Sequence, residues 1–208
     1  MDYVRPVEAV IPGATGRLLA ALGRVEAELS VSTLANIAGV GRTRASGIVA
    51  ELSALGIVEC RDVGRTVLVS LARHSAAGEL IDRLAHISSE VIARLRSLAA
   101  KIEPAPETLL IFGSFARGEA DADSDLDVLA VRSPKANPEK WAASLSGFAQ
   151  QAQALAGNQV QLLDYDLGEL RRKAGPKAKE GREFWRAVRR DAIVLVGSQL
   201  EDAIGGAR

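Results

Sequence analysis

The sequence predicts an α+β protein of two domains joined by a helix. Over residues 1–73, helical patterns are followed by two short β-rich runs. Residues 74–102 carry apolar side chains at helical spacing, which predicts a linker helix. From residue 103 to 208, apolar runs of strand length alternate with helical patterns, which predicts a second domain of strands and helices. The prolines at 104 and 106 end the linker helix.

Composition limits the functions that are open to the chain. Of its 208 residues 48% are hydrophobic, so a folded core is expected. The formal net charge is zero, so nucleic acid would have to be bound by local patches. The single cysteine, Cys60, excludes an internal disulfide and a thiolate metal cluster. With neither a signal-peptide pattern nor an apolar run of membrane-spanning length, we expect a cytoplasmic protein without membrane contact.

The N-terminal residues predict a winged helix-turn-helix. Helical patterns run from Arg17 to Glu28, from Ser32 to Ala38 and from Thr43 to Leu55, and a glycine-bounded turn at residues 39–41 separates the last two. Two β-rich runs, residues 57–60 and 66–69, then form a hairpin. This order of elements is that of a winged helix and resembles, in pattern only, bacterial regulators of the MarR and ArsR type.

The positions of the N-terminal charges favour DNA as a partner. Arg42, Thr43 and Arg44 open the third helix, whose start normally enters the major groove. Arg61 and Arg65 flank the hairpin tip, where a wing would meet phosphates. Winged helices also serve as protein-interaction modules, and that alternative stays open.

The linker region predicts one long helix over residues 75–101. Its apolar stripe consists of Leu80, Leu84, Ile87, Val91, Leu95 and Leu98. We expect the stripe to pack against the neighbouring domains. A dimer-forming helix, and hence a homodimer, is the alternative.

The residues with chemical potential follow a buried strand at residues 108–112. Gly113 allows the backbone to approach a ligand, and a helix starting at Ser114 would direct free amides at an anion such as a triphosphate. After a polar loop, Asp125 and Asp127 lie on a second strand, where alternate side chains share a face. Two neighbouring carboxylates repel each other unless a cation joins them, and Mg²⁺ suits such an oxygen-rich site. This arrangement predicts phosphoryl or nucleotidyl transfer.

Residues 113–118, Gly-Ser-Phe-Ala-Arg-Gly, and residues 124–129, Ser-Asp-Leu-Asp-Val-Leu, together resemble the signature of the minimal nucleotidyltransferases of the DNA polymerase β superfamily. The resemblance implies a mixed sheet with flanking helices, Mg²⁺, and an NTP, usually ATP. It further implies that Asp125 and Asp127 are catalytic and hold the metal. The same resemblance assigns nucleotide binding to Gly113, Ser114, Arg117 and Ser124.

The third carboxylate of this family is less clear in the sequence. The family pattern aligns its position with Gln161, which is neutral and cannot act as a base. We assign the catalytic role to Asp164, which requires a bulge in its strand because it is three residues further on. Asp166 is a weaker substitute.

The C-terminal tail is strongly basic. Its cations are Arg171, Arg172, Lys173, Lys177, Lys179, Arg182, Arg186, Arg189 and Arg190. Phe184, Trp185 and Val188 are expected to form the buried side of a last helix, and residues 193–196 a closing strand. The basic face is either simply solvated or contacts an acceptor or nucleic acid.

The leading hypothesis is a Mg²⁺-dependent enzyme that transfers a nucleoside monophosphate from an NTP to an RNA or protein acceptor and docks on DNA through its winged helix. Because of Gln161, a nucleotide-sensing transcriptional regulator is the alternative. A toxin–antitoxin component, suggested by the family resemblance, is a third possibility.

Overall fold

A computed structural model describes residues 1–175 and 181–205. The chain divides into two compact units, one formed by Asp2 and residues 4–87 and the other by Met1, Tyr3 and the residues from Ser88 onward. Lys177 and Lys179, two cations of the predicted basic tail, lie outside the described residues. Across the described ranges, the helices are too short or too polar to cross a membrane.

The N-terminal unit consists of helices and a small antiparallel sheet. Its elements are α1 (Pro6–Val10), α2 (Ala14–Gly23), β1 (Leu29–Ser30), α3 (Val31–Ile37), α4 (Arg42–Ala54), β2 (Val58–Val63), β3 (Thr66–Leu71) and α5 (Ala76–Ala85). The strands are arranged in the order β1-β3-β2, and both pairings are antiparallel. The helices bury one core with the sheet, which includes the fully buried Leu18, Leu34 and Val69.

Local sequence sets the turns of this unit. Helix α3 begins after Ser30, whose hydroxyl accepts a hydrogen bond from the Thr33 amide at 3.0 Å, so the cap lies two residues before the expected start at Ser32. The hairpin is tighter than expected, because β2 and β3 pair as far as Val63 and Thr66. Gly64, with a φ of 60°, takes the first position of that two-residue turn, where a positive φ favours glycine.

The prediction of one linker helix over residues 75–101 is wrong. The segment forms two helices, α5 and α6 (Ile87–Ala99), separated at His86. Leu84 of α5 packs on the N-terminal core, whereas Leu95 of α6 is fully buried in the second unit. Leu80 is 62% exposed, so the apolar stripe is not continuous. Both helices have an apolar face, which is why the sequence pattern runs through the break.

The second unit is built on a mixed sheet of four strands in the order β6-β5-β4-β7. Its elements after α6 are β4 (Thr108–Phe112), α7 (Gly113–Ala116), β5 (Leu126–Arg132), α8 (Pro138–Ala156), β6 (Val160–Asp166), α9 (Leu167–Ala174), α10 (Arg182–Asp191), β7 (Ile193–Gly197) and α11 (Leu200–Gly205). Strand β4 pairs antiparallel with β5 and β7, and β5 pairs parallel with β6. The mixed sheet with flanking helices that the resemblance implied is therefore present.

The two faces of this sheet carry different helices. Leu110, Leu129 and Val131 share a core with residues of α9, α10 and α11. Successive side chains of a strand point to opposite faces, so Leu109, Ile111 and Val128 belong to the other face. Helix α8 packs against β5 and β6 and buries Trp141 and Phe148. The face on which a β5 or β6 side chain lies thus decides which helices it can meet.

Candidate nucleotide and metal site

Gly113 directly follows the buried strand β4 and lies against a carboxylate. Its φ is 71°, in the left-handed region that favours glycine. A Cβ atom built at this position would lie 2.0 Å from Oδ2 of Asp127. The glycine is therefore required both by the backbone conformation and by the close approach of Asp127.

The helix expected at Ser114 is a single turn, because α7 contains only four residues. A turn of helix is therefore present at the expected place, one residue earlier than Ser114. That its free amides face the phosphates of a nucleotide stays a prediction. Ser114 itself is half-buried beside Gly113, and its role in nucleotide binding stays a prediction.

The two predicted metal-binding carboxylates lie close enough to interact. Asp127 is on β5, opposite Phe112 of β4, and Asp125 lies just before the strand begins. The pKa of Asp127 is raised, first by burial and second by the negative charge of Asp125, while Arg117 acts in the opposite direction. Their mutual repulsion is the condition under which a cation between them is favoured.

Gln161 completes this group of side chains. Parallel pairing of β5 with β6 places Gln161 in register with Asp127. Its amide Nε2 donates a hydrogen bond to Oδ2 of Asp125 at 2.9 Å. The position at which the family resemblance placed a carboxylate is thus occupied by a neutral amide in contact with the acidic pair.

The prediction that Asp164 joins the site is wrong. Strand β6 pairs with β5 without a bulge, so Asp164 is three residues beyond Gln161 and on the opposite face of the sheet. Its carboxylate accepts a hydrogen bond at 3.0 Å from the indole Nε1 of Trp141 on α8. Asp166, the weaker substitute, is the N-cap of α9 and accepts from the Glu169 amide at 2.8 Å.

The loop before Asp125 is fixed by its own hydrogen bonds. The Ser124 hydroxyl donates to Asp121 at 2.8 Å, and this bond is the main reason that the pKa of Asp121 is lowered. The buried Asn158 side chain donates to the carbonyl oxygens of Asp121 at 3.0 Å and of Ser124 at 2.6 Å. Ser124 thus shapes the loop, and its contact with nucleotide stays a prediction. The sequence carries no local signal for this role of Asn158, because the carbonyl groups that it binds lie 37 and 34 residues earlier in the chain.

Arg117, which follows α7, lies near Asp127, and two charged residues of α10 interact with Arg117 and Glu119. Arg117 donates to Glu119 at 2.7 Å and lies close enough to Asp127 to lower its pKa. Asp191 accepts two hydrogen bonds from Arg190, at 2.6 and 2.7 Å, and these bonds and the charge of Arg117 lower its pKa. The predicted phosphate contact Arg117 is therefore near the site, although Glu119 already neutralises it.

Phe184 differs from its predicted place in the core. It lies on α10, is 40% exposed, and contacts Phe112 edge-on with ring centroids 5.6 Å apart. Trp185 and Val188 are buried as expected. An exposed aromatic ring thus stands on the residue that immediately precedes Gly113.

The donors present suit a hard cation. Within the described ranges, no cluster of three or more histidine, cysteine, aspartate or glutamate side chains could hold a metal ion. Two carboxylates and an amide oxygen are nevertheless the kind of incomplete oxygen set at which Mg²⁺ keeps water and accepts phosphate oxygens. Asp125 and Asp127 would supply the carboxylates, and Gln161 would supply its oxygen after rotation of the amide that donates to Asp125 in this structure.

In the N-terminal unit, the predicted DNA contacts are all exposed. Arg42, Thr43 and Arg44 form the first turn of α4. Arg65 is at the hairpin turn. Arg61 is held in an ion pair with Glu28, which lowers the pKa of that carboxyl through the hydrogen bond. The structure leaves four of the five positions accessible and gives the fifth a partner within the chain.

Comparison with known proteins finds one family model that matches part of the second unit. Residues 92–177 match the family model described as "Nucleotidyltransferase domain". No curated protein sequence matches the chain. The family match supports the prediction that this unit is a nucleotidyltransferase.

Solved structures with similarity to the chain include toxin–antitoxin assemblies. A toxin–antitoxin structure with AMP-PNP is 18% identical, covers 55% of this chain and 81% of that chain, and gives a TM-score of 0.38. The structure of the tri-AMPylated Shewanella oneidensis HEPN toxin in complex with MNT antitoxin is 15% identical, covers 55% of this chain and 76% of that chain, and gives a TM-score of 0.34. A putative nucleotidyltransferase from Sulfolobus solfataricus is 23% identical, covers 51% of this chain and 84% of that chain, and gives a TM-score of 0.28. Similarity at this level does not identify the substrate or partner of this chain.

Proposed function

We propose that the unit from Ser88 onward transfers a nucleoside monophosphate from an NTP, with ATP as the first candidate, to a hydroxyl group of an RNA or protein acceptor. The observation that carries this proposal is the close packing of the Asp127 carboxylate against the Gly113 turn, with Asp125 near enough for its charge to act on Asp127. Unfavourable repulsion at a glycine turn is expected where a bound cation and phosphate relieve it. The family match over residues 92–177 supports the same reaction class.

The side chains divide the work of this reaction. Bound Mg²⁺ would supply charge neutralisation for the triphosphate and the leaving pyrophosphate. Asp125 and Asp127 would hold the cation, and Gly113 would leave room for the phosphates next to them. Arg117 would contact a phosphate oxygen once Glu119 releases it. The acceptor oxygen forms a bond to the α-phosphorus while the bond to pyrophosphate breaks.

Gln161 determines what happens to the acceptor proton. An amide cannot accept it, and Asp125 and Asp127 are engaged with the cation, so the proton leaves to solvent or to the phosphates. Loss of general-base catalysis typically costs a factor of about 10²–10⁴ in rate. We therefore expect slow transfer and a preference for acceptors whose hydroxyl loses its proton easily.

Label transfer tests the proposal. The protein is incubated with Mg²⁺, α-labelled NTPs, and candidate RNA or protein acceptors. We expect label on an acceptor with the parent chain and none with Asp125→Asn or Asp127→Asn. Asp123→Asn is the matched control, because this exposed aspartate lies in the same loop and should leave transfer unchanged. If all four proteins label acceptors equally, or none does, the enzymatic proposal is refuted.

A second candidate function, a nucleotide-sensing transcriptional regulator, is favoured by Gln161. In that case Mg²⁺ and NTP would bind without turnover and would change the affinity of the chain for DNA. Calorimetry of ATP binding, followed by DNA titration with and without ATP, separates the two functions. DNA affinity that does not respond to ATP contradicts the regulator. The toxin–antitoxin role stays a prediction of the family resemblance.

We further propose that the N-terminal unit is a winged helix that binds DNA. The support is its element order, a sheet in the order β1-β3-β2, and exposed arginines at the start of α4 and at the hairpin turn. Arg44→Ala and Arg65→Ala should weaken binding to the DNA upstream of the gene and should each reduce the salt slope by about 0.9. Arg24→Ala is the control, because Arg24 donates to the Val4 carbonyl instead. Unchanged affinity in both variants would favour a protein-interaction module.

A further inference from the structure

Helix α10 has two different sides. Arg182, Arg186 and Arg189 recur at spacings of four and three residues, so their side chains lie along one side of the helix. Phe184 projects elsewhere and contacts Phe112, next to the glycine turn of the proposed site. The helix therefore connects a basic surface with the nucleotide site.

The basic side borders a cavity of about 490 Å³. Lys173 of α9 joins the three arginines there, the indole of Trp185 forms part of the wall, and Glu201 is the carboxylate among the described residues that line it. Among the described lining residues, Lys173, Arg186 and Arg189, the last of which also donates to the Ala174 carbonyl, outnumber the one carboxylate and give a local positive field in a chain whose net charge is zero. A concave basic surface of this kind is suited to the phosphates of a nucleic acid.

Phe184 indicates which form of nucleic acid fits. Its ring is 40% exposed although its neighbours Phe112 and Trp185 are buried. Cationic grooves combined with exposed aromatic rings are typical of single-strand binding, since an unpaired base can stack on the ring. A duplex keeps its bases stacked within the helix and does not offer them to such a ring.

We propose that α10 binds the acceptor, and that the acceptor is a single-stranded nucleic acid. Lys173 and Arg186 hold its phosphates, and Phe184 stacks on the terminal base. The terminal hydroxyl of the nucleic acid then lies near the glycine turn, because Phe184 contacts Phe112 and α10 packs against α7. This inference rests on the proposed transferase activity and names its acceptor class.

Fluorescence anisotropy tests the proposal. It measures the binding of a labelled 12-nucleotide single-stranded RNA to the full chain in the absence of NTP. We expect Lys173→Ala combined with Arg186→Ala to reduce the salt slope by about 1.4, because each cation that neutralises a phosphate of a single strand contributes about 0.7. Phe184→Ala should raise the Kd for RNA about tenfold and leave the affinity for Mg²⁺ and ATP unchanged.

Matched controls come from the same unit and from the N-terminal unit. Arg94→Ala and Lys140→Ala remove exposed cations from α6 and α8, away from the cavity lining, and should leave RNA binding intact. Arg44→Ala tests whether the N-terminal unit is responsible instead. The proposal is overturned if the α10 variants bind like the parent, if only Arg44→Ala weakens RNA binding, or if Phe184→Ala weakens ATP binding but not RNA binding.

The proposed function and the acceptor assignment fail in different ways. RNA binding that depends on α10, in a chain that never transfers label, refutes the transferase and leaves the binding surface established. Label transfer to protein hydroxyls without RNA binding refutes the acceptor assignment and leaves the transferase established.

Discussion

The contact of Gly113 with Asp127 allows a paired test in which one substitution has two costs and its control has one. Gly113→Ala places a Cβ atom in a backbone with φ of 71° and 2.0 Å from Oδ2 of Asp127. Gly118→Ala places one at φ of 73° with no neighbouring atom within 4 Å. Both variants have the strain of a left-handed alanine, about 1–2 kcal/mol. Only Gly113→Ala also forces a neighbour to move.

The additional cost follows from the distance. The Asp127 carboxylate must move until it reaches the 3.4 Å at which ordinary contact begins. Forcing a packed side chain aside costs about 1–3 kcal/mol. We therefore expect Gly113→Ala to lower the free energy of unfolding by roughly 2–5 kcal/mol, against about 1–2 kcal/mol for Gly118→Ala. The displaced carboxylate should also weaken binding of Mg²⁺ and ATP.

The assay can report on the second unit alone. Both tryptophans of the chain, Trp141 and Trp185, are buried in that unit, so the change in tryptophan fluorescence during urea unfolding follows it selectively. Calorimetry with Mg²⁺ and ATP then measures the effect on binding. Equal destabilisation of the two variants, together with equal ATP affinity, would show that Gly113 does not lie against the Asp127 carboxylate.

Three further predictions follow from the same site. Because the folded-state pKa of Asp127 is raised, its ionised form destabilises the metal-free protein, and this loss of stability develops as pH rises from the ordinary pKa of the carboxyl through the raised one. Asp127→Asn should therefore raise the free energy of unfolding by about 0.5–1 kcal/mol above that pH range. Urea unfolding curves with the same pH dependence for both proteins would contradict this. Gln161→Asp should lower stability without metal, because a third carboxylate faces Asp125, and should raise the rate of label transfer by about tenfold or more; an unchanged rate argues against a missing base. Asn158→Ala leaves two loop carbonyl oxygens without their buried donor and should cost about 1–3 kcal/mol in the tryptophan-monitored unfolding, so a cost below about 0.5 kcal/mol would exclude the loop role.

The acidic pair could be predicted because the signals that define it are local. A buried strand, Gly113, and two aspartates at alternate positions lie within about twenty residues of sequence, and strand alternation predicts that Asp125 and Asp127 share a face. In the structure Asp125 lies one residue before β5, and its charge still acts on Asp127. The sequence also aligns Gln161 with the third carboxylate position of the family pattern, because residues 160–165 predict a strand. In the structure, Gln161 donates a hydrogen bond to Asp125.

The remaining features depend on long-range packing. Asp164 required a bulge that the unbroken register of β5 with β6 does not contain. Asn158 acts on a loop 34 and 37 residues earlier in the chain, and Phe184 contacts a residue on another element. Leu80 and Leu95 carry the same apolar pattern but are on helices that belong to different cores, and periodicity contains no information on where a helix breaks.

The central claim is that Asp125 and Asp127 share a cation which the chain needs in order to bind a nucleoside triphosphate. Calorimetric titration with ATP, in Mg²⁺ and again in EDTA, tests it in the parent chain and in the Asp125→Asn/Asp127→Asn double variant. We predict that the parent chain binds ATP in Mg²⁺ and not in EDTA, and that the double variant binds ATP under neither condition. ATP binding of equal affinity in all four titrations would contradict the claim.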